Sequence, residues 1–247
     1  NNLPENSIAS LKEAIRLKCT GAEFDVRMTA DDSLIINHDR DYNKMRIEQT
    51  TYAELEKFKL SNGEKLPTLR EYILAGIENN TATRLVCEIK PSASKERGKI
   101  IAEKVYHLVN ELKAQSKVVY ISFDYDILKK IVSLNPTVGT QYVEANKSPG
   151  EIKADGITGI DYILTAIKKH PEWIAEAKAN NITLNAWTVN NAEDMDWLIA
   201  NGFNFITTNE PELLSERIKV APTLNGWKLA WSDEFNYKEL PDNTKWD

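Results

Sequence analysis

Cysteine is scarce in this 247-residue chain. The two present, Cys19 and Cys87, stand in separate apolar segments. There is no CxxC spacing and no Cys/His cluster, so no cysteine-held metal site is legible. Both are expected as buried free thiols, since an unpaired cysteine packs like a small hydrophobe. Long hydrophobic runs are missing too: no apolar stretch approaches 18 residues, which excludes a spanning helix. No run of Lys and Arg reaches five residues and the net charge is −6, which excludes nucleic acid as a partner. HExxH, GxSxG and GxxxxGK(S/T) are all absent, so the chemistries those signatures carry are not indicated. No glycine-rich loop follows a strand, which argues against a dinucleotide-binding fold. The chain opens on Asn1-Asn2-Leu3-Pro4, with neither a start methionine nor a signal peptide, and stops at Lys245-Trp246-Asp247. It is expected to be an excised piece of a longer protein.

What is present is rhythm. With 42% hydrophobic residues the chain can bury a full core, and helix-like and strand-like segments alternate along it. Ser7 to Lys18 has apolar residues at helical spacing; Ala22 to Met28 reads as a strand. Thr51 to Phe58 and Thr68 to Glu78 read as helices, Leu85 to Lys90 as a strand, and Glu96 to about Gln115 as a long helix. Val118 to Ser122 is an apolar strand, and the alternation continues to a last helix, Pro211 to Ile218. About seven core strands result, not counting a short one from Leu34. Such alternation implies parallel βαβ units with a sheet buried on both faces. A closed eight-stranded barrel lacking one strand and an open doubly wound sheet both satisfy it. In a barrel, functional side chains should fall at the C-terminal ends of the strands.

Three segments carry candidate chemistry. In Glu23-Phe24-Asp25, strand alternation puts both carboxylates on one face. Two buried carboxylates need compensation, from a divalent cation or from Lys and Arg partners. Glu88-Ile89-Lys90 repeats the geometry at another strand end. A third carboxylate there completes an all-oxygen set suited to Ca²⁺ or Mg²⁺, with Lys90 available to a phosphate. A plain Glu88–Lys90 ion pair is the alternative. Among three histidines, His107 sits on a helix and His170 before Pro171. His38, in the polar loop Asn37-His38-Asp39, is the best candidate for proton transfer.

These pieces, in this order, resemble the glycerophosphodiester phosphodiesterase family. The resemblance spans about residues 3 to 218. Its front half lies in Pro4-Glu5-Asn6-Ser7, Gly21 to Val26, Thr29, Asp32 and His38-Asp39. Its middle is Pro67 to Glu71, Glu88-Ile89-Lys90 and Ser122-Phe123, and its end is Trp187-Thr188-Val189-Asn190 and Gly202 to Pro211. The resemblance implies a (β/α)8 barrel with its first strand missing or truncated and a small insertion after the second strand, here Leu34 to about Leu66. It implies Glu23, Asp25 and Glu88 as ligands of one divalent cation, Ca²⁺ or Mg²⁺, and His38 as one of two acid/base histidines. Lys90 matches a residue near the phosphate, Glu5 an acidic residue supporting the site, and Trp187 an aromatic residue at the pocket mouth. The implied reaction converts a small-molecule glycerophosphodiester into sn-glycerol 3-phosphate and an alcohol.

The family's His-Arg-Gly segment at the end of the first strand would lie upstream of Asn1, so the second histidine and a phosphate-binding arginine are not in this chain. The fragment is therefore expected to be nearly inert. At the other end, Ala221-Pro222-Thr223 reads as part of a linker (221–226) closing a domain of residues 1–220. Trp227 to Asp247 holds three of the six tryptophans and resembles the opening of a family 16 glycoside hydrolase of the laminarinase type. Such a covalently linked neighbour implies a periplasmic or extracellular location. Two other readings stay open: a non-catalytic barrel serving as a binding or scaffold module, and a phosphodiesterase acting on lysophospholipids or phosphorylated glycans.

Overall fold

A computed structural model describes residues 3–220 together with the short strand Trp231–Ser232. The expected linker 221–226, and residues 227–230 and 233–247 of the expected second domain, lie outside the described residues. The strands are β1 (Gly21–Met28), β2 (Leu34–Ile36), β3 (Asp41–Tyr42), β4 (Met45–Arg46), β5 (Arg84–Ile89), β6 (Val118–Ser122), β7 (Thr140–Tyr142), β8 (Gly159–Ile163), β9 (Thr183–Trp187), β10 (Phe205–Ile206) and β11 (Trp231–Ser232). The helices are α1 (Ile8–Arg16), α2 (Tyr52–Leu55), α3 (Leu69–Ile77), α4 (Lys95–Glu111), α5 (Tyr125–Leu134), α6 (Pro149–Ala154), α7 (Leu164–Lys169), α8 (Glu172–Ala179), α9 (Ala192–Ala200) and α10 (Pro211–Val220).

The sheet runs β10-β9-β8-β7-β6-β5-β1-β11, every neighbouring pair parallel. It curls into a barrel of the (β/α)8 type, and the seven strands from β1 to β10 that form it are those anticipated from the pattern. β11 pairs with the outer edge of β1, Ala22 opposite Trp231 and Glu23 opposite Ser232. That is the edge where the family's first strand is expected. Among the described residues no ladder joins β10 to β11, so the barrel stays open there.

Alternation along the strands sorts the side chains. Ala22, Phe24 and Val26 of β1, with Leu85, Cys87 and Ile89 of β5, pack outward under α1, α3 and α4. Ile160 and Tyr162 of β8 and Leu184 and Ala186 of β9 form a second outer core with the later helices. Cys19 and Cys87 are buried free thiols, as expected. Helix starts follow local chemistry. Ser7 caps α1 by accepting from the Ser10 N–H at 3.0 Å, and Thr68 and Glu71 form a reciprocal capping box on α3.

The insertion is a unit of its own. β2 runs antiparallel to β1, β3 and β4 form a small hairpin, and Ile35, Ile47, Leu55 and Leu66 make a separate apolar cluster. Here α2 stops at Leu55, well short of the expected Phe58, because the chain turns into an antiparallel bridge between Lys59 and Lys65. Two short helices, α6 and α7, were not read from the sequence. α6 nevertheless has a legible start, Ser148-Pro149-Gly150-Glu151, which closes as a capping box with proline in the first turn. Among the described residues no helix is long and apolar enough to cross a membrane.

α3 lies so close to β5 that a Cβ on Gly76 would meet Leu85 Cδ2 at 2.7 Å and Cδ1 at 3.0 Å. Gly76→Val is expected to destabilise the fold by about 1–3 kcal/mol through overpacking. Urea unfolding followed by circular dichroism measures it, and an unchanged midpoint would contradict this packing.

Candidate active site

The register of two strands assembles the site. Asp25 of β1 lies directly opposite Glu88 of β5, and Glu23 sits two residues earlier on the same face as Asp25. One ligand atom from each of Glu23, Asp25 and Glu88 lies within 4.8 Å of the others, and all three residues are buried. Lys90 follows Glu88 just past the strand end. Its Nζ stands 2.8 Å from Asp25 Oδ1 and 3.0 Å from Glu88 Oε1. The two alternatives posed by the sequence thus coexist: a carboxylate cluster and a lysine ion pair in one place.

The electrostatics show that one ammonium is not enough for three carboxylates. Burial, then repulsion from Asp25, pushes Glu88 up to about 7, although Lys90 pulls the other way. Burial opposes the charge on Lys90, but Asp25, Glu88 and Glu23 outweigh it and raise its pKa. Asp25 Oδ1 and Glu88 Oε1 both face Lys90 Nζ, at 2.8 and 3.0 Å, so three buried carboxylates from two strands gather around a single ammonium. A hard divalent cation with oxygen ligands fits this donor set.

Asp25 is also held from the other side. Its Oδ2 accepts from Asn6 Nδ2 at 2.8 Å, and its backbone N–H donates to Asn6 Oδ1 at 3.0 Å. Asn6 adopts φ 57, a left-handed conformation that asparagine tolerates better than most residues. Glu5, expected from the same Pro-Glu-Asn-Ser segment, lies in the turn ahead of α1, and its neighbour Asn6 grips the Asp25 carboxylate.

A cavity of about 160 Å³ opens over the cluster, bringing together Glu23, Glu88, Lys90, His38 and Trp187. His38 comes from the loop after β2. Its Nδ1 lies 3.0 Å from Asp39 Oδ1, and its carbonyl accepts from Arg27 Nε and Nη2 at 3.0 and 2.6 Å. His107, on α4 beside Glu103, and His170, paired with Glu172, lie elsewhere. Trp187 meets Phe123 edge-on at 5.6 Å and donates its Nε1–H to the Asp161 carbonyl at 2.9 Å. Lys90 Nζ stands 6.0 Å from the Phe123 ring centre.

Asp161, on the inner face of β8, was overlooked. It lines the cavity, is 3% exposed, and its Oδ1 has no hydrogen-bond partner. Burial, then the charge of Glu88, pushes its carboxyl up to about 8. A carboxylate alone in an otherwise apolar strand was the available signal. A proton held in the folded state and lost from the unfolded chain lowers stability as pH rises, here from about 4, the unfolded value, to about 8. Asp161→Asn is therefore expected to stabilise the metal-free protein by about 1–3 kcal/mol near pH 8, with the gain fading below pH ~4. Thermal melts across pH measure this, and a pH-independent difference would contradict it.

Comparison with known proteins agrees with this geometry. The glycerophosphoryl diester phosphodiesterase family model matches residues 1–213. A glycerophosphodiester phosphodiesterase from Parabacteroides distasonis, known as a crystal structure, is 37% identical, with a TM-score of 0.85 over 87% of this chain and 90% of that one. A curated glycerophosphodiester phosphodiesterase from Caldanaerobacter subterraneus subsp. tengcongensis is 27% identical over 88% of this chain and 93% of its own length. A phosphodiesterase from Oleispira antarctica, solved in complex with the product sn-glycerol-3-phosphate, shares the fold, with a TM-score of 0.75 and 21% identity over 87% of this chain and 92% of that one. The matched span takes in the acidic cluster, the lysine and the histidine, and the chain belongs to the glycerophosphoryl diester phosphodiesterase family.

Proposed function

We propose that the domain hydrolyses glycerophosphodiesters to sn-glycerol 3-phosphate and an alcohol, with one divalent cation, Ca²⁺ or Mg²⁺, held by Glu23, Asp25 and Glu88. The observation that carries this reading is the convergence of three buried carboxylates within 4.8 Å of one another, beside Lys90 and under a cavity that His38 borders. When bound, the cation supplies Lewis-acid stabilisation of charge on a non-bridging phosphate oxygen. Lys90 adds a fixed positive charge beside that oxygen in a site shielded from water, where such charge acts strongly. Asn6 and the β1–β5 register keep Asp25 and Glu88 in place without reorganisation. Asp39 orients the His38 ring through Nδ1, so proton exchange with the reacting oxygen is assigned to Nε2. Trp187, Phe123 and Val143 form the apolar wall against which the glycerol carbons rest.

Among the described residues, His38 is the one histidine that borders this cavity. A reaction that breaks one P–O bond and makes another needs a proton removed from the nucleophile and a proton delivered to the leaving alcohol.

Calorimetric titration with Ca²⁺ or Mg²⁺ is expected to show one site per chain, weakened more than about tenfold in Glu88→Gln. Absence of binding, or the same affinity in the variant, would remove the metal assignment. In a domain that carries both acid/base groups, His38→Ala is expected to lower kcat by about 10²–10⁴-fold while metal affinity stays unchanged. Full activity in that variant would remove His38 from the reaction.

A further inference from the structure

A second cavity, of about 360 Å³, opens beside the first. Four arginines line it, Arg27, Arg40, Arg46 and Arg97, against one acidic residue, Glu48. They arrive from different parts of the chain. Arg27 lies on β1, two residues beyond Asp25 and on the same face. Arg40 and Arg46 come from the hairpin of the insertion, and Arg97 from the first turn of α4.

Carboxylates offset these charges only in part. Glu48 is committed elsewhere: its oxygens accept from Ser92 Oγ at 2.7 Å and from the Ala93 N–H at 3.2 Å, tying the loop before α4 to the insertion. Arg46 meets Asp41 through Nε at 3.1 Å. Arg97 spends Nη2 on the carbonyls of Met28 and Thr29, and its Nη1 stands 3.9 Å from Asp32 Oδ1. Arg27 is 8% exposed, so its charge is fixed in the inner wall of the cavity.

One contact links the two cavities. Arg27 donates both of its hydrogen bonds to the His38 carbonyl, and the His38 residue borders the catalytic cavity. Guanidinium groups bind oxyanions, phosphoryl groups among them, through paired N–H donors. We infer that the arginine cavity is an anion subsite of the active site, and that it takes a second phosphoryl group carried by the alcohol of the phosphodiester. The domain therefore prefers diesters whose alcohol is itself phosphorylated. This deepens the phosphodiesterase proposal above and rests on it.

Two titrations of the full chain test the subsite. In EDTA the three carboxylates repel phosphate, so inorganic phosphate reports on the arginines alone. One phosphate is expected to bind per chain, about tenfold more weakly in Arg40→Ala/Arg46→Ala and more weakly still when Arg40→Glu replaces Arg40→Ala. Both side chains are exposed, so these changes spare the core. No binding, or binding unmoved by the substitutions, overturns the inference. With Ca²⁺ or Mg²⁺ present, glycerophosphoinositol 4-phosphate is expected to bind about tenfold more tightly than glycerophosphocholine, and the double variant to lose that preference. Arginine-dependent phosphate binding without the preference overturns the placement of substrate here and leaves a site for free phosphate. If the preference holds but neither diester is hydrolysed by a domain carrying both acid/base groups, the phosphodiesterase reading falls and the subsite stands.

Discussion

The pairing of Asp25 with Glu88 across two parallel strands is an electrostatic problem built into the barrel. Placing Glu23 on the same face makes it worse, because each buried carboxylate loses hydration that its neighbours do not replace. One lysine and one asparagine offset part of the cost, and the shift of Glu88 toward neutrality shows how much is left. The fold accepts the penalty because the outward faces of the same strands are wholly apolar and buried under helices. Strand alternation lets a single β1 carry hydrophobic anchoring on one side and concentrated charge on the other.

That division explains what was legible in the sequence. Outward residues such as Phe24, Val26, Leu85 and Ile89 give the strands their apolar signal, and the helices between them show 3.6-residue spacing, so barrel strands could be counted from pattern alone. The acidic triad was legible because Glu23 and Asp25 break the apolar run at a spacing of two. Asp161 broke another strand in the same way, but a lone carboxylate does not suggest a ligand set until the structure brings it to the cavity. Asn6 was hidden for a different reason. Its role depends on a turn whose backbone enters the left-handed region, and nothing in its neighbours' spacing encodes the reach to Asp25.

The insertion was legible as an interruption but not as a structure. Its strands are two and three residues long, and its helix α2 is four. Segments this short carry no periodicity, so contacts with β1 and with its own four-residue cluster decide their conformation. Arg40, Arg46 and Glu48 fall in this stretch. Their convergence with Arg27 and Arg97 comes from a hairpin, a strand end and a helix start that are far apart in the chain.

β2 ties the insertion to β1, while the hairpin beyond it packs on a separate cluster of Ile35, Ile47, Leu55 and Leu66, so the hairpin surface can drift while the barrel stays fixed. Substitutions in the hairpin reach neither the β1–β5 ladder nor the cluster of Glu23, Asp25 and Glu88. On the role inferred for the arginine cavity, changes at a handful of hairpin positions would retune which alcohols are accepted and leave Glu23, Asp25, Glu88 and Lys90 on the strands beneath as they are.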